Sequence, residues 1–168
     1  MLSLLMLSIV AGLLLAPGIS AQNVDPRLES FKEEALNKVQ DQGKLVQEIV
    51  DHLYSFGELG MQEFETQRYL TDLLEENGFE IELGVAGMPS AWTARWGSGS
   101  PVIALGSDVD GIPQSNQKPG VGYREAILSM APGHGEGHNS GQAVNIVAAL
   151  AVKEIMEREN ISGTLLIW

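Results

Sequence analysis

A chain of 168 residues with 44% hydrophobic side chains has room for one ordinary domain with a buried core, which excludes a disordered or low-complexity protein. Asp and Glu number 22 against 10 Lys and Arg, and the resulting net charge of −12 repels phosphate backbones, so nucleic acid is not the expected partner. There is no cysteine, which excludes disulfides and thiolate ligands and leaves His, Asp and Glu to hold any metal.

Residues 1–21, MLSLLMLSIVAGLLLAPGISA, carry no charge, are rich in Leu and close on Pro17, Gly18, Ser20 and Ala21. This reads as a signal peptide cut after Ala21, and hence as export to the periplasm or the cell exterior. An uncleaved membrane anchor is the alternative, although the apolar run from Leu2 to Ala16 is short for a span and Pro17-Gly18 interrupts it. Asp25 and Pro26 then form an N-cap and first helical residue. Leu28, Phe31, Ala35, Val39, Val46, Ile49, Val50 and Leu53 draw one apolar stripe along a long amphipathic helix with a bend at Gly43. The segment GELGMQE ends it, and a second helix from about Glu63 to Glu76 buries Leu70, Leu73 and Leu74 before stopping at Asn77-Gly78.

Two half-buried strands are expected next, one in FEIELGV with Phe79, Ile81, Leu83 and Val85 alternating, the other in WTARW with Trp92, Ala94 and Trp96. The continuous apolar run from Val102 to Leu105 predicts a central strand covered on both faces. WGSGSP precedes this strand rather than joining strand to helix, so it is not a phosphate loop. From Gln114 to about Gly137 the chain is rich in Gly, Pro and polar residues, too long for a plain connection. A buried helix from about Ser140 to Arg158 and a core strand in TLLIW complete the chain. Strand, long loop, helix and strand in that order argue for a parallel α/β unit with a right-handed crossover.

Ligands of open parallel sheets bind beyond the carboxyl ends of the strands, where Asp108 and Asp110 follow VIAL. The helix that starts after HGEGH begins at the same edge, so His134, Glu136 and His138 can meet the two aspartates there. Imidazole and carboxylate suit zinc when no thiolate is offered, and the interleaved glycines let the backbone bend around an ion. The plainer alternatives are that Asp108 and Asp110 bond their own turn and that the histidines are solvated or hydrogen-bonded. SDVDG lacks the later oxygen ligands and closing Glu of an EF-hand, and neither Ser107 nor Ser140 sits in a G-x-S-x-G elbow.

Three strings in order, ELGMQEFETQRYLTDLLEENGFEIE, GMPSAWTARWGSGSPVIALGSDVDGIP and GHGEGHNSGQAVNIVAAL, resemble the N-terminal part of the zinc amidohydrolase and aminoacylase family of dinuclear metallopeptidases. That family includes hippurate, auxin-conjugate and p-aminobenzoyl-glutamate hydrolases, and the Gly-His-x-x-Gly-His-Asn form is nearest the last. After the leader read over 1–21, the resemblance implies, over 22–168, the N-terminal part of a zinc-peptidase-like α/β domain. Its sheet would be largely parallel, flanked by helices and incomplete at the C-terminus.

It further implies hydrolysis of the amide bond of N-acyl amino acids or short dipeptides with two zinc ions, manganese being the alternative, and allows a homodimer of the full-length protein. Glu136 stands where the family carries a Cys ligand and could bridge two metals. His138 matches a His ligand, and Asp110 corresponds to the carboxylate that orients a ligand; Asp108 and His134 are candidates for supporting the ligands from behind. Where many members have Asp and a further His, this chain has Asn139 and Gly141. The family's Glu-Glu pair, with its general base, would follow Trp168, so the chain is expected to be an inactive or weakly active fragment. A non-catalytic binding module on the same scaffold is the alternative, motivated by the replaced Cys.

Overall fold

The computed structural model describes residues 25–168, so the expected leader lies outside the described residues. The chain divides after Ser30, and the unit from Phe31 to Trp168 carries the fold and the site. No described helix is long and apolar enough to cross a membrane.

Helix α1 (Pro26–Asp41) starts as expected, with the Asp25 carboxylate accepting a hydrogen bond from the Arg27 amide at 2.9 Å. The single bent helix is in fact two, because Gln42 leaves the helical region and α2 (Gly43–Phe56) begins after it. The apolar stripe is divided with it. α1 buries no residue and leaves Leu28 and Val39 exposed, whereas Ile49 and Leu53 of α2 are fully buried. Ionic contacts of Lys38 with Glu154, and of Glu34 with both terminal nitrogens of Arg158 at 2.5 and 2.8 Å, face α1 toward the last helix. Gly57 caps α2 in the left-handed conformation, donating to the Leu53 carbonyl.

Helix α3 (Phe64–Glu76) buries Leu70 and Leu74, with Leu73 only partly covered. Strand β1 (Glu80–Leu83) and β2 (Trp92–Ser98) pair antiparallel, β2 pairs antiparallel with β4 (Gly163–Ile167), and β3 (Val102–Leu105) pairs parallel with β4. The spatial order is β1-β2-β4-β3. Helix α4 (His138–Glu159) links β3 to β4, so the predicted parallel unit is present. The α/β class holds, but the sheet is mixed rather than largely parallel, since only one of its three pairings is parallel.

Two strand expectations change with this order. β3 is an edge strand, with Val102 53% and Ile103 48% exposed, and the strand covered on both faces is β4. Leu83 is exposed because β1 forms the other edge. One core joins α2, α3, α4 and the sheet through Ile49, Leu53, Leu74, Ile146, Ala94 and Ile167. Truncating Leu74 to Ala should therefore cost about 2–5 kcal/mol in urea denaturation, while Leu83→Ala should stay within about 0.5 kcal/mol of wild type.

Candidate metal centre

The site lies where the parallel pair ends. Beyond Leu105 the ladder continues for one step, with the Trp168 amide donating to the Leu105 carbonyl at 3.1 Å and the Ser107 amide to the Trp168 carbonyl at 3.3 Å. Gln142 of α4, fully buried, donates through Nε2 to the carbonyls of Ser107 (3.2 Å) and Trp168 (2.7 Å), tying both strand ends to the helix. The first turn of α4 lies directly on this edge: a Cβ on Gly141 would fall 1.9 Å from Ser107 Oγ, so only glycine fits. Asn139, in turn, donates to the Val50 carbonyl at 3.3 Å. Asn139 and Gly141 thus hold the start of α4 close to α2 and to the strand end.

Short backbone links hold the turn after β3. The Gly111 amide donates to the Glu58 carbonyl at 2.6 Å, and Leu59 and Gly111 form a parallel bridge. Ile112 and Gly133 exchange both amide-carbonyl bonds, at 2.9 and 3.1 Å, which closes the long loop at its base. Arg124 fills the loop above, donating to the carbonyls of Asn116 and Gln114 at 2.5 and 2.6 Å. With 112 zipped to 133, Asp110 on one arm faces Glu136 and His138 on the other.

His138 is the first residue of α4, set by Gly137 in a left-handed conformation. Its Nδ1 lies 2.9 Å from Asp110 Oδ1 and 3.2 Å from Glu136 Oε1, and its Nε2 lies 3.9 Å from Asp108 Oδ2. Asp110, Glu136 and His138 each offer a donor atom within 4.8 Å of the others, forming the candidate ion-binding group among the described residues. Burial pulls the His138 imidazole down, but the bond to Asp110 and the charge of Glu136 outweigh it and hold the ring above its ordinary value. Three carboxylates thus surround one imidazole, an arrangement that gains from a positive charge at its centre.

Of the five expected residues, Asp110, Glu136 and His138 come together, and Asp108 faces the other nitrogen of His138 while remaining largely exposed. His134 does not join the donor group. Its Nε2 donates to the Leu53 carbonyl at 2.9 Å, which pins the loop to the end of α2, and its Nδ1 is buried without a partner. Burial keeps this ring below its ordinary value, so it is a neutral structural pin.

Sequence reasoning missed Glu58. Its carboxylate accepts hydrogen bonds from the amides of Glu65 and Thr66, both at 2.9 Å, capping α3 from a distance while its carbonyl holds Gly111. No spacing rule marks such a cap, because it lies seven and eight residues ahead of the amides it binds. Missed too was Gln142, whose only signal is a polar residue inside an apolar helix.

The chain is 32% identical over 118 residues to one subunit of the p-aminobenzoyl-glutamate hydrolase of Escherichia coli, and 30% identical over 114 residues to N-acetyl-L-cysteine deacetylase of Bacillus subtilis. The chain is a homologue of part of these two hydrolases. The matches take in 70% and 68% of this chain but 24% and 26% of those proteins, so it spans about a quarter of their length. Among solved structures, a candidate aminohydrolase from methicillin-resistant Staphylococcus aureus matches with a TM-score of 0.64 at 20% identity, over 80% of this chain and 33% of that one. A dinuclear metal-binding peptidase of the M20 family from Bacillus subtilis matches with a TM-score of 0.52 at 23% identity, over 83% and 34%. These two likenesses establish the fold. No protein-family model matches the chain.

Removing the remote cap tests how this edge is held. Glu58→Ala should lower stability by about 1–2 kcal/mol, read as a shift of the denaturation midpoint, because two amides of α3 lose a charged acceptor.

Proposed function

We propose that this chain forms part of a metal-dependent amidohydrolase that cleaves the amide bond of N-acyl amino acids or short dipeptides. The observation that carries the reading is the convergence of Asp110, Glu136 and His138 at the end of the parallel strand pair. The homologous hydrolases support the reaction class, since both are named for N-acylated amino acids.

The donor set fits a divalent cation. It offers one imidazole and several carboxylate oxygens with no thiolate, a combination that suits zinc or manganese. His138 and Glu136 are the residues that would hold the ion. Asp110 is a positioning residue: accepting a hydrogen bond from Nδ1–H of His138 fixes the ring and leaves the Nε2 lone pair free on the side of Asp108. The chemistry such an ion supplies is Lewis-acid activation of water and of the amide carbonyl. The leucine-rich leader adds export to the reading.

Titration with Mn²⁺, followed by its electron paramagnetic resonance, tests the assignment. His138→Ala should lose at least about 10–100-fold in affinity and Asp110→Asn about 10–100-fold, while Asp51→Asn, remote on α2, should titrate as wild type. A His138→Ala chain that binds Mn²⁺ like wild type would remove the site. In the protein that carries this segment, release of free amino acid from N-acyl amino acids should stop on chelation and return with the ion.

A further inference from the structure

Helices α2 and α3 leave an open groove of about 430 Å³ between them, which shares no residue with the donor group. His52 and Phe56, one turn apart, line it from α2, and Tyr69 and Leu73 line it from α3. The three rings form one cluster. His52 stacks on Tyr69 with centroids 4.5 Å and planes 15° apart, and Phe56 meets Tyr69 edge-on at 6.1 Å. We propose that this groove is an interaction surface for a partner protein, and that it seats an arginine side chain carried on a basic segment of that partner.

Polarity narrows the occupant first. Arg68, Asp72 and Glu76 follow one another at four-residue spacing along the α3 rim, all exposed. Arg68 is taken up by Glu65 at 2.5 Å, and neither Asp72 nor Glu76 has an ion-pair partner among the described residues. Because a carbonyl only accepts, Nδ1 of His52 donates to the Glu48 carbonyl at 2.7 Å, which leaves Nε2 of the neutral ring as an acceptor. Burial and, after it, the charge of Glu48 hold the Tyr69 phenol above its ordinary value, so this ring stays neutral. The groove therefore offers π faces, acceptors and negative charge, and the net charge of −12 adds long-range attraction for a basic partner.

Shape then selects guanidinium over ammonium. A planar guanidinium can lie on an aromatic ring while its edge meets a carboxylate in two parallel hydrogen bonds, whereas an ammonium is a strongly hydrated point charge. An open groove of this size admits one long side chain from outside, and arginine is among the residues that anchor protein–protein contacts.

The test follows the ring signals of the full chain, labelled with ¹³C in Phe and Tyr, against three capped peptides that differ only in a central arginine, lysine or citrulline and carry no other charge. The arginine peptide should shift Tyr69 and Phe56 and leave the buried Phe79 and the loop Tyr123 in place. The lysine peptide should bind about threefold more weakly, and the neutral citrulline peptide at least about tenfold. Asp72→Asn combined with Glu76→Gln, both at exposed positions, should weaken the arginine peptide about tenfold, while Glu82→Gln on β1 should leave it unchanged. Tyr69→Leu keeps apolar bulk without the ring and should cost about fivefold. Arg68→Gln, which removes the like charge from the rim, should tighten binding about twofold. Lysine or citrulline binding as tightly as arginine, a double variant that binds like wild type, or no shift at Tyr69 and Phe56 would each overturn the proposal.

Discussion

The contact between the Asp110 carboxylate and the His138 imidazole joins two segments 28 residues apart, the turn that ends β3 and the residue that starts α4. Backbone pairing makes that meeting unavoidable. Ile112 bonds Gly133 in both directions, Gly111 bonds Glu58, and Gln142 ties the ends of β3 and β4 to the helix, so the arms of the long loop cannot part without breaking these bonds. What these links bring together is electrostatically unfavourable by itself. Asp108, Asp110 and Glu136 gather around one ring in a chain that is already strongly acidic. A proton on His138 meets part of that excess, and a divalent cation would meet more of it.

The same edge carries a cleft that shares Asp110 with the donor group and has Asp108 beside it. Placement of polar donors and apolar walls at the carboxyl ends of parallel strands follows the general logic of α/β sheets, in which strand-end turns and helix starts converge while the sheet body remains a rigid support. Here the rigid support is the buried core that joins the sheet to α2, α3 and α4 through Ile49, Leu53, Leu74, Ile146 and Ile167. Secondary features serve that geometry. The Glu58 carboxylate steadies α3 while its own carbonyl steadies Gly111, and neutral His134 joins the loop to the last turn of α2.

Much of this was legible in the chain. The helix-period stripes placed α3 and α4 to within a few residues, and the order strand, loop, helix, strand implied the parallel β3–β4 unit and with it the meeting of Asp110 and His138. Position within the sheet was not legible. A continuous apolar run states that a strand can be covered on both faces, but edge or centre depends on which distant strand pairs with it, and the antiparallel insertion of β2 beside β4 put β3 at the edge. The bend expected at Gly43 proved a full break one residue earlier, at Gln42, because the apolar spacing runs across it while the backbone does not. At the site, residue types pointed to donors but side-chain directions decided their roles. His134 and His138 look alike in the sequence, yet one reaches the Leu53 carbonyl and the other reaches Asp110.

The most direct test of the central claim is the ¹⁵N spectrum of the imidazoles during titration with Zn²⁺. The chain has three histidines, His52, His134 and His138, each in a different setting. Zinc should displace the ring-nitrogen signals of His138 and leave those of His52 and His134 where they stand. Equal displacement of all three, or an unmoved His138 at saturating zinc, would contradict the assignment.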